Sequence, residues 1–253
     1  MGSKWIPKPG EKVTMMDIAK MIDHSLLKPE MTKQQVIDGC NLAKKYDCAS
    51  VCVKPCDVDV AYDILKGTDV HVSTVIAFPH GSNLTPVKLE EAKLAIEGGC
   101  VEIDLVLNIG RLKSGEFDLV KADIKKVIDF AHSKNVKVKV IMENFYLTDE
   151  EIAKASKIVE EAGGDWVKTS TGYAGGGATV NDLKIMRASV SDAVQVKAAG
   201  GVRTLDAALA VRALGGSRFG CTATEKILED ARQREEKGTL VIPEDVPDNA
   251  IGY

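Results

Sequence analysis

Eight short runs rich in β-branched residues recur along the chain, each followed by a longer segment with helical spacing of its apolar positions. The runs lie near 22–26 (IDHSL), 49–53 (ASVCV), 71–78 (HVSTVIAF), 101–107 (VEIDLVL), 136–143 (VKVKVIME), 166–170 (WVKTS), 193–199 (AVQVKAA) and 218–221 (RFGC). Helical stretches fall near 32–46, 56–66, 85–98, 116–134, 149–163, 180–190, 204–214 and 223–236. Strands alternating with helices point to βαβ units and a parallel sheet. Eight such units in 253 residues have the size of an α/β fold of the (β/α)8 TIM-barrel type. An open doubly wound sheet is the alternative. It usually has five or six strands and a GxGxxG after the first, which this chain lacks.

A short extra helix near 14–21 precedes the first run, and the segment after about 237 (GTLVIPEDVPDNAIGY) reads as a mobile tail. The expectation is one barrel domain over 1–253. Punctuation supports the helices. Thr85 followed by Pro86 reads as an N-cap with proline at the first helical position. Thr148 with Glu151 fits a capping box, and Gly163 and Gly164 follow as a stop. Thr204 opens a helix that Gly215 and Gly216 end.

Strand side chains alternate between faces. In a barrel the outward set packs on helices and is apolar, while the inward set can turn polar near the catalytic end. Applied to VEIDLVL, alternation sends Val101, Ile103 and Leu105 out, with Glu102 and Asp104 inward. In VKVKVIME it sends Lys139 and Glu143 inward, in WVKTS Trp166, Lys168 and Ser170, and in AVQVKAA Gln195 and Lys197. Isolated buried charges are costly, so these must pair or shift their pKa. Lys139 and Glu102 lie further from the C-terminal strand ends and read as a structural ion layer. Lys168, Lys197 and Asp104 lie near those ends, where barrel active sites form.

Two lysines and one carboxylate suit Schiff-base chemistry. A free lysine is neutral in only ~1 molecule in 2,500 at pH 7. Burial and a neighbouring ammonium both lower its pKa and free the amine to attack a carbonyl. An acid/base must then move protons through the carbinolamine, and Asp104 can serve. The loops AAGGVR (198–203) and FGCTATEK (219–226) follow the seventh and eighth runs. Backbone N–H groups at a glycine turn and a helix start make an anion site, where barrels often bind phosphate. The glycine-rich loop at 172–177 is placed to close over a ligand.

Composition narrows the partners. A net charge of −4 and 5% aromatic residues argue against nucleic acid. No 18-residue apolar run is present, so no membrane span is expected, nor does MGSKWIPKPGEK have the apolar core of a signal peptide. The six cysteines include Cys48, Cys52 and Cys56 at spacings of four but no CxxC, so a zinc site is disfavoured and buried reduced thiols in a cytoplasmic protein are expected. The four histidines show no HxH or HxxxH spacing, which disfavours a zinc-dependent aldolase. No metal or other cofactor is expected. His80, in FPHG, reads as a structural histidine of a loop.

The segments IDHSLLKP (22–29), SVCVKP (50–55), TVIAFPHG (74–81), EIDLVLNIG (102–110), VKTSTGYAGGGAT (167–179) and VKAAGGVRT (196–204) occur in that order. Together they resemble the deoxyribose-phosphate aldolases, over about residues 20–230. That resemblance implies a class I aldolase on a (β/α)8 barrel. The reaction it implies is reversible cleavage of 2-deoxy-D-ribose 5-phosphate to acetaldehyde and D-glyceraldehyde 3-phosphate, in deoxyribonucleotide and carbohydrate catabolism. It places the Schiff-base lysine on Lys168, the second active-site lysine on Lys197 and the acid/base on Asp104, the three residues selected by alternation. It places phosphate contacts on Gly172, Gly200, Gly201, Val202, Arg203, Gly220 and Thr222. It also gives the C-terminal Tyr253 a part in proton transfer. The partners implied are small phosphorylated sugars and aldehydes, and a homodimer is an assembly left open.

The chain departs from the family pattern at Lys54, where a tyrosine is usual, and at Ser25, where a threonine is usual and the hydroxyl is kept. Cys221, Thr222 and Ala223 stand where two or three hydroxyl residues are usual. Ser25 and Cys52 are counted among the substrate contacts, with inert packing as the competing reading of Cys52. Two other functions stay open on the residues alone. One is a phosphate-binding isomerase that uses Lys168 as an electrostatic clamp. The other is a non-catalytic sugar-phosphate binder with lysines of ordinary pKa.

Overall fold

In the computed structural model, which describes residues 3–252, eight parallel strands close into a barrel in chain order. They are β1 (Ile22–Leu26), β2 (Ser50–Val53), β3 (His71–Ile76), β4 (Glu102–Val106), β5 (Lys137–Ile141), β6 (Trp166–Lys168), β7 (Gln195–Ala199) and β8 (Arg218–Cys221). β8 pairs back onto β1, with Asp23 beside Gly220. The helices are α1 (Met15–Ala19), α2 (Lys33–Lys45), α3 (Val58–Leu65), α4 (Thr85–Glu97), α5 (Ile109–Lys113), α6 (Phe117–Ser133), α7 (Asp149–Ala162), α8 (Val180–Ser189), α9 (Leu205–Ala213) and α10 (Thr224–Glu236). The barrel expected from the repeating pattern is the fold observed.

Alternation does the sorting. Val51, Val53, Ile103, Leu105, Val138, Val140, Val167 and Val196 face outward and join one apolar cluster with Val36, Ala92, Ile124, Val127, Val159 and Leu183 from the helices. Each such side chain fully withdrawn from water contributes about 1.5–3 kcal/mol. The alternate positions, Glu102, Asp104, Lys139, Trp166 and Lys168, are buried without belonging to that cluster. Closing the sheet turns them toward the barrel axis.

Thr148 caps α7 through the reciprocal box with Glu151, and Gly163 ends the helix at φ +89°. Thr204 caps α9 by accepting the Ala207 N–H. Thr85 does not act as a cap. Leu84 holds the cap position of α4, because the Thr85 hydroxyl instead donates to Asp123 Oδ1 at 2.6 Å. Three short elements go beyond the sequence reading: α5, capped by Asn108, and single 3-10 turns at Pro55–Asp57 and Asn144–Tyr146.

The segment after 237 returns to the N-terminal arm. Lys12 and Val241 form an antiparallel bridge, and Leu240, Ile242 and Ile251 are buried. Gly252 reaches the loop after β7, where a Cβ on Gly201 would stand 2.9 Å from the Gly252 backbone. Tyr253 lies outside the described residues.

Candidate active site

The barrel axis holds a cluster of charges in two tiers. In the lower tier Arg218 grips Glu102, with Nη2 2.9 Å from Oε1, and reaches Asp23 Oδ1 at 2.6 Å. Lys139 joins the tiers. Its Nζ lies 2.5 Å from Glu102 Oε2 and 3.1 Å from Asp104 Oδ1, with Asp23 Oδ2 at 3.6 Å. In the upper tier Lys168 Nζ donates to Asp104 Oδ2 at 2.7 Å. Lys197 Nζ donates to the same oxygen at 2.7 Å and stands 2.5 Å from Asp23 Oδ2. The register of β6 on β7 sets Lys168 directly beside Lys197, while β5 on β6 sets Ile141 beside Lys168.

Lys139, Lys168, Lys197 and Arg218 thus face Asp23, Glu102 and Asp104, one cation more than the carboxylates balance. In a low-dielectric interior an unbalanced ammonium is the group that gives up its proton. Among the described residues, Lys139 and Lys197 each have at least two carboxylate partners, whereas Lys168 has Asp104 alone. Burial lowers the Lys168 pKa against the pull of Asp104, and the Lys197 charge lowers it further. For Lys197 burial acts the same way, but Asp104 and Asp23 outweigh it and raise its pKa. Asp104 is disfavoured as an anion by burial, yet Lys139, Lys168 and Lys197 hold its pKa well below the ordinary value. In the upper tier, then, Lys168 has a lowered pKa beside Lys197, whose pKa is raised, and Asp104, whose pKa is lowered.

A pocket of about 490 Å³ opens above the upper tier, the size of a small-molecule site. Lys168 and Lys197 form part of its floor. Ser25, Cys52, Gly172, Gly200, Gly201, Val202, Arg203, Gly220 and Thr222 line it as well. Asp104 sits beneath them, fully buried, and meets the pocket through the two lysines. Gly200 and Gly201 take φ of +77° and +91°, the left-handed region that turns successive N–H groups to one side. The third glycine loop leans on this turn: Ala178 N donates to Ala199 O and Gly200 O. Gly177 lies so close that a Cβ there would come within 2.6 Å of the Gly200 backbone.

Other sequence assignments are placed differently. Glu143 is not part of the axial cluster. It follows β5 with φ +57°, which turns its carboxylate to the Thr171 N–H and hydroxyl instead. Lys139 and Glu102, read as a separate structural layer, are continuous with the upper tier through the bond from Lys139 to Asp104. Cys52 faces the pocket with its thiol pushed up to about 11 by burial. Cys56 is exposed, unlike the other cysteines. Lys54 donates to the backbone carbonyls of Lys28 and Met31, which steadies the loop after β1.

Asp23 and Arg218 were not among the sequence candidates. Alternation in IDHSL already separates Asp23 and Ser25 from Ile22, His24 and Leu26, so the signal for Asp23 was present. Alternation in RFGC likewise separates Arg218 and Gly220 from Phe219 and Cys221, but a charge at the first position of a strand reads equally well as the end of the preceding loop. Among the described residues, no group of three or more His, Cys, Asp or Glu side chains is arranged to hold a metal ion. No helix there is long and apolar enough to cross a membrane.

Residues 17–227 match the family model described as DeoC/LacD family aldolase. The chain belongs to the DeoC/LacD aldolase family. The match spans all eight strands and every element of the charged cluster. Among similar proteins, a deoxyribose-phosphate aldolase of Thermoanaerobacter sp. is 52% identical over 216 residues, covering 85% of this chain and 97% of that protein. Another, from Caldanaerobacter subterraneus subsp. tengcongensis, is 50% identical over 222 residues, covering 87% and 96%. The deoxyribose phosphate aldolase of Aeropyrum pernix, described as tetrameric, superposes with a TM-score of 0.79 at 28% identity, covering 86% of this chain and 92% of that one. In this DeoC/LacD aldolase, then, the buried lysines lie at the mouth end of the barrel that carries the family match.

Proposed function

We propose that this DeoC/LacD aldolase reversibly cleaves 2-deoxy-D-ribose 5-phosphate to acetaldehyde and D-glyceraldehyde 3-phosphate through a Schiff base on Lys168. The carrying observation is the asymmetry of the two lysines that share Asp104 Oδ2: one has a lowered pKa and the other a raised one. A clamp would keep its charge. A lowered pKa makes a lysine more available as a nucleophile.

In the cleavage direction, neutral Lys168 Nζ attacks the aldehyde carbon C1. Proton transfers through Asp104 and Lys197 convert the carbinolamine to an iminium with loss of water. The C3 hydroxyl then gives up its proton, through a water, to Asp104, and the C2–C3 bond breaks as the C3 oxygen becomes a carbonyl. The bonding pair moves into the iminium, leaving an enamine, and glyceraldehyde 3-phosphate departs. Protonation at C2 restores the iminium, and water releases acetaldehyde and the free lysine. Tyr253 is assigned to the protonation at C2. The N–H groups of the turns at Gly200–Arg203 and Gly220–Thr222 receive the phosphate, with Gly172 and Ser25 completing the walls. The chemistry needs no metal, since the iminium is the electron sink.

Replacing Lys168 by Leu tests this reading in a coupled assay for glyceraldehyde 3-phosphate. Turnover is expected to fall to background, and turnover retained within tenfold of the unmodified protein would refute the assignment.

A further inference from the structure

Three loops around the pocket are joined by a chain of hydrogen bonds that the reaction above does not use. It begins at Glu143, which is 2% exposed and whose left-handed backbone is unusual for a residue with a side chain. Thr171 meets that carboxylate twice. Its N–H lies 3.3 Å from each oxygen, and its hydroxyl donates to Oε2. The same hydroxyl accepts the Tyr173 N–H at 3.0 Å. Tyr173 then crosses the mouth of the barrel, and its hydroxyl donates to the backbone carbonyl of Leu27 at 2.8 Å. Its ring stands edge-on to Phe78 with centroids 5.3 Å apart. Thr171, Tyr173 and Leu27 all line the pocket.

The barrel order gives this chain its meaning. Tyr173 follows β6 and Leu27 follows β1, while the glycine turns after β7 and β8 lie between them. The bond from Tyr173 to Leu27 therefore closes a ring of four loops around the end of the pocket that takes the phosphate. A bond to a backbone carbonyl fixes the position of a loop whatever side chain the loop carries. A half-exposed tyrosine has water as an alternative partner, so the latch holds only while the turn at 171–173 is kept in place.

We propose that Tyr173 is a specificity-determining residue that closes this ring on the phosphorylated end of the substrate, and that Glu143, acting through Thr171, is its positioning residue. This rests on the aldolase reading above. None of these hydrogen bonds involves Lys168, although its charge acts on the Glu143 carboxylate, and the ring has no part in bond making. It acts on a substrate long enough to reach the phosphate turns and leaves a two-carbon aldehyde at Lys168 untouched.

The test compares Tyr173→Phe and Glu143→Gln with the unmodified protein on deoxyribose 5-phosphate and on deoxyribose. Tyr173→Phe keeps the ring against Phe78 and removes only the hydroxyl. The ratio of kcat/KM for the phosphorylated over the unphosphorylated sugar is expected to fall by about threefold to tenfold, the scale of one neutral hydrogen bond. The change is expected to come through KM. Glu143→Gln, which offers Thr171 an amide where it needs two acceptors, is expected to move the same ratio in the same direction. The double variant is expected to fall no further than the larger single effect, because both residues act on one chain of bonds. An unchanged ratio, an equal loss on both sugars, or additive effects would overturn the proposal. Borohydride trapping of acetaldehyde on Lys168 is run on all three variants alongside the unmodified protein. An adduct that still forms shows that the barrel is intact in each variant. Failure to trap in the unmodified protein would overturn the aldolase reading instead, and the proposal with it.

Discussion

Lys168 and Lys197 hold their side-chain nitrogens 2.7 Å from a single oxygen, Oδ2 of Asp104. They differ in what else they touch: Lys197 also meets Asp23 at 2.5 Å. That second carboxylate helps raise the Lys197 pKa, and the Lys197 charge adds to burial in lowering that of Lys168. Replacing Lys197 by Met, of similar length and no charge, is therefore expected to raise the Lys168 pKa. The alkaline-going limb of the kcat/KM profile is expected to move to higher pH, and kcat to fall by about 10²–10⁴ with loss of a proton carrier. A limb that stays in place or moves down would contradict the coupling.

Asp23→Asn removes a buried carboxylate that faces Lys197, Lys139 and Arg218. Lys139, Lys197 and Arg218 keep Glu102 or Asp104 as partners, but taking one carboxylate out of a buried ion network costs about 3–5 kcal/mol. Denaturant unfolding is expected to report a loss of that size, with the midpoint lowered and the slope unchanged. A change below about 1 kcal/mol, the scale of an exposed pair, would mean that Asp104 and Glu102 suffice for the three cations.

His24 ties β1 to α10 through Nδ1, 2.8 Å from Thr224 Oγ1. Burial pushes its pKa down to about 4. A group with a depressed folded-state pKa stabilises the fold above its unfolded value and loses that contribution as pH falls. Stability is thus expected to decline between pH about 6.5 and pH about 4. His24→Asn keeps a polar atom near Nδ1 and cannot titrate. Unfolding curves at several pH values are expected to show that part of the decline missing from the variant. Below it, Glu102, whose pKa is lowered to about 2 by Lys139 and neighbouring groups against the effect of burial, adds a further loss in both proteins.

Gly177 is required by contact rather than by conformation. Its φ is ordinary, but a methyl group would stand 2.6 Å from the Gly200 backbone. Gly177→Ala is expected to push the loop after β6 away from the phosphate turn. Small misplacements of a substrate-holding element cost up to about 10² in rate, so kcat/KM for deoxyribose 5-phosphate is expected to drop by about tenfold or more. Saturation kinetics would check this, with unchanged KM counting against the contact.

Much of the site could be read from strand alternation because its period is fixed by the backbone. EIDLV placed Asp104 inward and WVK placed Lys168 inward without reference to any other strand. Asp23 obeys the same rule in β1. What the rule cannot supply is the sum over strands. The excess of one cation, which singles out Lys168, emerges only when β1, β4, β5, β6, β7 and β8 face one axis. Lys88 makes the same point outside the barrel. It sits on a helix and is fully buried, because Asp123 from α6 and the Val106 carbonyl reach it from elements distant in sequence. Glu143 escaped alternation because the strand ends at Ile141 and the backbone turns left-handed two residues later.

Everything proposed for the reaction turns on a Schiff base between Lys168 and the substrate. Incubating the protein with deoxyribose 5-phosphate, reducing with borohydride and mapping the modified peptide by mass spectrometry tests it most directly. A single reduced adduct on Lys168, and none on Lys197, is expected. An adduct on Lys197, or no adduct while the sugar phosphate binds to folded protein, would contradict it.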